Sequence, residues 1–214
     1  KAITNPRRTT FSVKSNRFVN LLKNKQFTGV NQIWTSDITY YWLDITKNPK
    51  KSRFYYIVLI MDVYSRRIVG YSVADNMRAE NNIAALKMAL ELRTIEDYNE
   101  ELIHHSDRGF QYLSKVYTNH LKKNKIQISV TQNARPYDNP VAERINGILK
   151  DEFNLGSTLK NLRQAKQILE KAMHIYNDKR PHWSNHLLTP NQMHNQKELK
   201  MITWESESGN TPAG

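Results

Sequence analysis

Three carboxylates in this chain stand where an acid is costly unless it has a task. Asp37 lies inside the run WTSDITY, flanked by Trp34, Ile38 and Tyr40. Aspartate is disfavoured in strands, and in a central strand it needs a compensating partner. Asp107 follows ELIHHS and precedes Arg108 and Gly109. That order puts it at the carboxyl end of a strand, where α/β sheets place ligand sites, with Gly109 easing the turn. Glu143 sits in RPYDNPVAERINGILKDEF, where Asn139 is an N-cap and Pro140 the first helical residue. Glu143 is then one turn into a helix, and 35 residues separate it from Asp107. The other acids of that stretch read differently: Asp138 holds a turn, and Asp151 and Glu152 belong to a solvated helix end.

Three acids converging in a basic protein call for a cation. Oxygen ligands in a chain without cysteine suit Mg²⁺ or Mn²⁺. A pair of such ions about 3.5–4 Å apart is the usual device for in-line phosphoryl transfer. The absence of cysteine excludes disulfides and thiolate zinc sites. His104 and His105 are neighbours on a strand, so they face opposite sides of the sheet and do not readily share one zinc ion with Asp107. One of them is expected to pack and the other to lie near the acids.

The elements that must position these groups follow from patterning. IWTSDITYYWL, FYYIVLIMDVYS and RRIVGYSV read as three strands, the last two joined by a short turn around Ser65–Arg66 and therefore antiparallel. Their near-continuous hydrophobicity predicts a central sheet covered on both faces. RAENNIAALKMALEL is an amphipathic helix, ELIHHS a strand, YLSKVYTNHLKKN a helix and KIQISV a strand. PVAERINGILKDEF and residues Leu162–Tyr176 are helices, the latter with Leu162, Ala165, Ile168, Leu169, Ala172, Ile175 and Tyr176 on one stripe. Three strands, helix, strand, helix, strand, helix, helix describes an α/β fold with an antiparallel opening: the order of a ribonuclease H-like fold, a mixed five-stranded central sheet flanked by helices.

Composition points to the partner. The 214 residues carry a formal charge of +12, which favours a polyanion, nucleic acid first. Residues 1–30 hold Lys1, Arg7, Arg8, Lys14, Arg17, Lys23 and Lys25 without one acid, and read as a basic arm that packs a little and touches phosphates. Residues 31–196 read as the folded core and 197–214 as a disordered tail. The longest apolar run, Tyr55–Met61, is far short of the ~18 residues of a membrane span. The basic, polar start lacks the apolar segment of a secretion signal, so the expectation is a soluble intracellular chain. Tyr40, Tyr41 and Trp42 could stack on bases, although packing is the commoner use of strand-end aromatics.

In order and spacing, WTSDITY, MDVYSRRIVGYSV, HHSDRGFQY and YDNPVAERINGILKDE resemble the catalytic core of insertion-sequence transposases of the IS-three family, relatives of retroviral integrases. YNDKRPHWSNHLLTPNQ (residues 176–192) resembles the family's closing segment. The resemblance spans roughly residues 9–194. It implies a ribonuclease H-like fold, Asp37, Asp107 and Glu143 as a metal-binding triad with two Mg²⁺ or Mn²⁺ ions, and cleavage and joining of double-stranded DNA at transposon ends. It also implies terminal inverted repeats and target DNA as partners, a homo-oligomer on DNA, and a bacterial cytoplasmic, nucleoid-associated location. Lys150 matches the basic residue seven after the glutamate that is expected to contact DNA. Arg108, Tyr137, Asn139 and Arg144 are the further DNA-contact candidates. Pro140 stands where the family often has alanine, and Phe110 where it often has a small residue. An upstream helix-turn-helix, usual in the family, is not in this sequence. Two other readings remain open on the residues alone: a nuclease of the same fold without strand transfer, and a domesticated or decayed transposase that only binds DNA.

Overall fold

Threonine, tyrosine, tryptophan and isoleucine crowd the sequence from Ile33 to Leu43, and there the chain is extended throughout as β2, after a two-residue β1 (Gln26–Phe27). The computed structural model describes residues 18–23, 25–43, 53–93, 101–131, 161–196 and 202–203. β3 (Arg53–Asp62) runs antiparallel to β2, setting Asp37 opposite Leu59 and Trp34 opposite Asp62. β4 (Ile68–Ala74) pairs antiparallel with β3, with a bulge between Ile60 and Met61. Helix α1 (Ala79–Glu91) then carries the chain across to β5 (Leu102–Ser106), parallel to β2 on its free side. Helices α2 (Phe110–Leu113) and α3 (Lys115–Lys123) lead to β6 (Ile126–Val130), parallel to β5. The sheet order is β4-β3-β2-β5-β6, so β2 is central. Helix α4 (Leu162–Lys179), a 3-10 turn (Trp183–Asn185) and helix α5 (Pro190–His194) follow. Within the segment expected to be a structureless tail, Ile202–Thr203 form β7 and pair with β1.

The apolar runs of β3 bury both faces of the sheet. Tyr55, Ile57, Leu59 and Met61 pack on one face with Ala165, Leu169, Ala172, Met173 and Tyr176 of α4. Val58 and Ile60 join Trp34 on the other face, against Ile83, Leu86 and Ala89 of α1 and Tyr117 and Leu121 of α3. The stripe read along α4 is the buried one, with Met173 added to it. A third cluster closes the amino end of the parallel strands, and it takes in Leu22 and Phe27 from the expected basic arm.

Two polar devices tie loops to this sheet. Asp62, fully buried, accepts the backbone N–H groups of Asn31 and Ser65 at 2.7 Å each, and the Ser65 hydroxyl at 2.7 Å. Because Ser65 gives its proton to Asp62, His194 Nδ1, 2.9 Å away, must donate to Ser65. Serine, histidine and aspartate meet here in the wrong order for a nucleophile, since the hydroxyl proton points away from the imidazole. They bind α5 to the β3–β4 turn, and Asn185 reinforces the join by donating to the Ser65 carbonyl at 2.6 Å. At the opposite end, the outward N–H of Val130 on edge strand β6 donates to the Val19 carbonyl at 3.2 Å, and Leu21 N–H donates to Ser129 Oγ at 2.9 Å. Residues 19–21 therefore run along the edge of β6, beside its carboxyl end.

Candidate active site

The parallel pairing of β2 and β5 aligns Ser36 with Ser106, and the next residue of each strand is Asp37 and Asp107. Both acids stand just past the carboxyl end of this paired stretch, Asp37 in the middle of β2 and Asp107 directly after β5. Cross-strand pairing puts Asp37 beside Leu59, whose side chain belongs to the face covered by α4. The two carboxylates also meet electrostatically at one group, because each raises the pKa of the buried Tyr112 phenol. Burial is the larger cause of that rise, with Asp37 and Asp107 next. Tyr112 is thus a neutral hydroxyl at every physiological pH.

Asp107 is held by its own loop: its Oδ1 accepts the Gly109 N–H at 2.9 Å. Burial raises its pKa above the ordinary carboxylate value, and the Gly109 hydrogen bond offsets part of the rise. The site therefore resists a bare negative charge and favours a compensating proton or cation. A side chain at Gly109 would press on the carboxylate itself, since a Cβ there would lie 2.9 Å from Asp107 Oδ1 and 3.0 Å from Gln111 Oε1, and one of the two would have to turn aside. Two carboxylates from adjacent strands, with water and phosphate oxygens completing the shell, are a donor set that Mg²⁺ accepts. Among the described residues no three His, Cys, Asp or Glu side chains cluster to hold a metal. Glu143, the third acid expected, lies outside the described residues, as do Lys150, Tyr137, Asn139 and Arg144.

The adjacent histidines separate as strand alternation requires. His104 is bonded to the Tyr117 hydroxyl at 2.9 Å, and burial, helped by His105, depresses its pKa to about 3. His105 turns the other way and bonds Ser129 Oγ through Nδ1 at 2.8 Å. Arg108 is partly exposed beside Asp107. Tyr40 packs edge-on against Phe54, with ring centroids 5.6 Å apart. Sequence reasoning missed Ser36 and Tyr112. Ser36 Oγ donates to the Leu59 carbonyl at 2.9 Å and lies 2.8 Å from the Tyr112 hydroxyl. The signal was present as a serine directly before Asp37 and a tyrosine five residues after Asp107.

The sequence signature of the integrase core domain matches residues 28–136, and a second integrase core domain signature matches residues 124–190. The chain belongs to the integrase core domain family. Its relatives include the transposase of insertion sequence IS629 from Shigella sonnei, 32% identical over 73% of this chain and 50% of the relative. Another is the transposase InsF of insertion sequence IS3fB from Escherichia coli, 34% identical over 62% of this chain and 43% of the relative. This integrase core spans about half the length of such relatives. Among solved structures, it is similar to the HTLV-2 integrase catalytic core domain in complex with magnesium, with a TM-score of 0.58 and 22% identity over 78% of this chain and 98% of that one. It is also similar to a chain of the simian T-cell lymphotropic virus intasome, with a TM-score of 0.64 and 18% identity over 94% of this chain and 67% of that one. The fold is the ribonuclease H-like fold of retroviral integrase catalytic cores, as the order of elements predicts.

Proposed function

We propose that this integrase core is the catalytic part of a DNA transposase that cleaves 3′ ends of a mobile element and joins them to target DNA. The observation that carries the reading is the side-by-side placement of Asp37 and Asp107 at the carboxyl end of the parallel pair, each acting on the Tyr112 phenol. Asp37, Asp107 and Glu143 would hold the divalent metal, as two Mg²⁺ or Mn²⁺ ions. Bound there, such ions lower the pKa of the attacking water or hydroxyl and stabilise the leaving oxygen. The chain's own share would be to supply these carboxylates, with the Gly109 N–H fixing that of Asp107. Water is the first nucleophile and frees a 3′-hydroxyl. That hydroxyl is the second nucleophile, so no covalent enzyme intermediate is required.

Double-stranded DNA at the element's terminal repeats and at the target is the substrate. The +12 charge of the chain supports binding through phosphates, and Lys150, Arg108, Tyr137, Asn139 and Arg144 are the proposed contacts. Joining two ends requires at least a dimer on DNA. Residues 1–30 are assigned as a DNA-contacting arm, 31–196 as the catalytic core and 197–214 as a tail, in a protein of the bacterial cytoplasm, as the bacterial relatives suggest.

A strand-transfer assay on oligonucleotide ends, run in Mg²⁺ and in EDTA, tests the proposal. Asp107→Asn and Glu143→Gln should abolish cleavage and joining while salt-sensitive DNA binding persists. Joining of ends by the Glu143→Gln protein in Mg²⁺ would refute the triad. Cleavage without joining by the parent protein would instead favour a plain nuclease.

A further inference from the structure

The turn after β5 is bonded at one end to the Asp107 carboxylate and at the other, through Tyr112, to Ser36 of β2. At its start, Gly109 N–H holds Asp107 Oδ1 at 2.9 Å. One turn later the Tyr112 N–H donates to the Gly109 carbonyl at 3.0 Å, and the Leu113 N–H to the same oxygen at 3.2 Å. This makes α2 a short rigid lever from the Asp107 carboxylate to the Tyr112 ring. The far end of the lever is fastened to β2. Ser36 commits its proton to the Leu59 carbonyl at 2.9 Å, so the Tyr112 hydroxyl, 2.8 Å from Ser36 Oγ, must be the donor to it. Tyr112 is 2% exposed and Ser36 0%, so water does not compete for either bond. Ser36 and Asp37 point to opposite faces of β2, and pinning one fixes the rotation and register of the other.

We infer that Tyr112 is a positioning residue whose hydroxyl, through Ser36, sets the separation and orientation of the Asp37 and Asp107 carboxylates for a divalent cation. The inference rests on the reading of those two acids as metal ligands. It differs from a packing role for the tyrosine ring, which phenylalanine would fill equally well. Mg²⁺ is the ion most sensitive to such a device, since it demands near-ideal octahedral geometry and tolerates displaced ligands poorly.

The test is a thermal-shift titration with Mg²⁺ and with Mn²⁺ on the parent chain and on Tyr112→Phe, Ser36→Ala, the double variant and Asp107→Asn. Tyr112→Phe keeps the ring and leaves Ser36 bonded to Leu59, so its metal-free melting temperature should stay close to the parent's. Its Mg²⁺ half-saturation should rise about tenfold, the lower end of what outer-shell changes cost metal sites. Mn²⁺ should suffer less. Ser36→Ala removes the same bond together with the one to the Leu59 carbonyl, so its loss should be at least as large, and adding Tyr112→Phe to it should change little. An unchanged Mg²⁺ half-saturation in Tyr112→Phe, with Asp107→Asn abolishing the metal response, overturns the inference. Equal losses for Mg²⁺ and Mn²⁺ accompanied by a lower metal-free melting temperature also overturn it, in favour of packing. A metal response that survives in Asp107→Asn overturns the carboxylate site itself, a separate failure.

Discussion

Gly70 permits a decisive test of how α1 is seated on the sheet. It lies in mid-strand, opposite Ile60, where glycine ordinarily weakens a strand. A methyl group on it would overlap the Ala85 carbonyl oxygen outright and lie 3.1 Å from both the Ala85 carbonyl carbon and Ala89 Cβ. That oxygen is helix backbone and cannot rotate away, so Gly70→Ala must lift α1, by about 1 Å. A gap of 0.5–1 Å forfeits a quarter to a half of each contact, and a buried leucine makes ~40–60 of them at ~0.1–0.2 kcal/mol. For the fully buried Leu86 alone the loss is on the order of 2 kcal/mol. With Ile83 and Ala89 included, about 3 kcal/mol is expected, at the upper end of ordinary overpacking. In a chain of this size that is a fall of about 6–12 °C in melting temperature. The sign is as informative as the size. Without the overlap, replacing a glycine whose φ is not positive would stabilise the chain by about 0.5–1 kcal/mol. Urea unfolding of the two proteins decides between them, and a Gly70→Ala variant as stable as the parent refutes the close approach of α1.

Two further outcomes follow from buried polar groups. His104 is neutral when folded, with a pKa of about 3, but takes a proton near 6.5 when unfolded. Its contribution to stability is therefore complete above about pH 6.5 and is lost as pH falls toward about 3, at up to about 1.4 kcal/mol per pH unit. His104→Gln should flatten the pH dependence of unfolding by one proton in that window, and an unaltered slope would count against a buried neutral imidazole. Ser65→Ala removes the hydroxyl shared by Asp62 and His194, a charge-assisted bond in a closed site. It should cost about 2 kcal/mol in urea unfolding, and a change below about 0.5 kcal/mol would show that the hub does not hold α5.

Local pattern made much of this architecture legible. The β-rich run around Asp37, the apolar run of β3 and the stripe of α4 each specify an element and its buried side by periodicity alone. The place of Asp107 directly after a strand was legible because an apolar run ending before Arg108 and Gly109 is a local signature. Where a single residue overrode the pattern, reading failed: YLSKVYTNHLKKN has helical spacing throughout, yet Ser114 is extended and caps a new helix through Tyr117 N–H at 3.2 Å, so α2 and α3 are separate. That break lets α2 serve as an independent turn holding Tyr112. Contacts between distant segments were beyond reach for a different reason. Ser65 and His194 meet across 129 residues, and Ser36 and Tyr112 across 76, by a route that only the closed sheet defines.

The bond between Val19 and Val130 bears on how copies of the chain avoid one another. The outward N–H of an edge strand is a template on which a strand of another molecule can pair. Here the carbonyl of Val19 takes that donor on β6, and Ser129 Oγ holds the Leu21 N–H beside it. Residues 19–21 thus cover the carboxyl end of this edge, where an open strand would invite edge-to-edge aggregation.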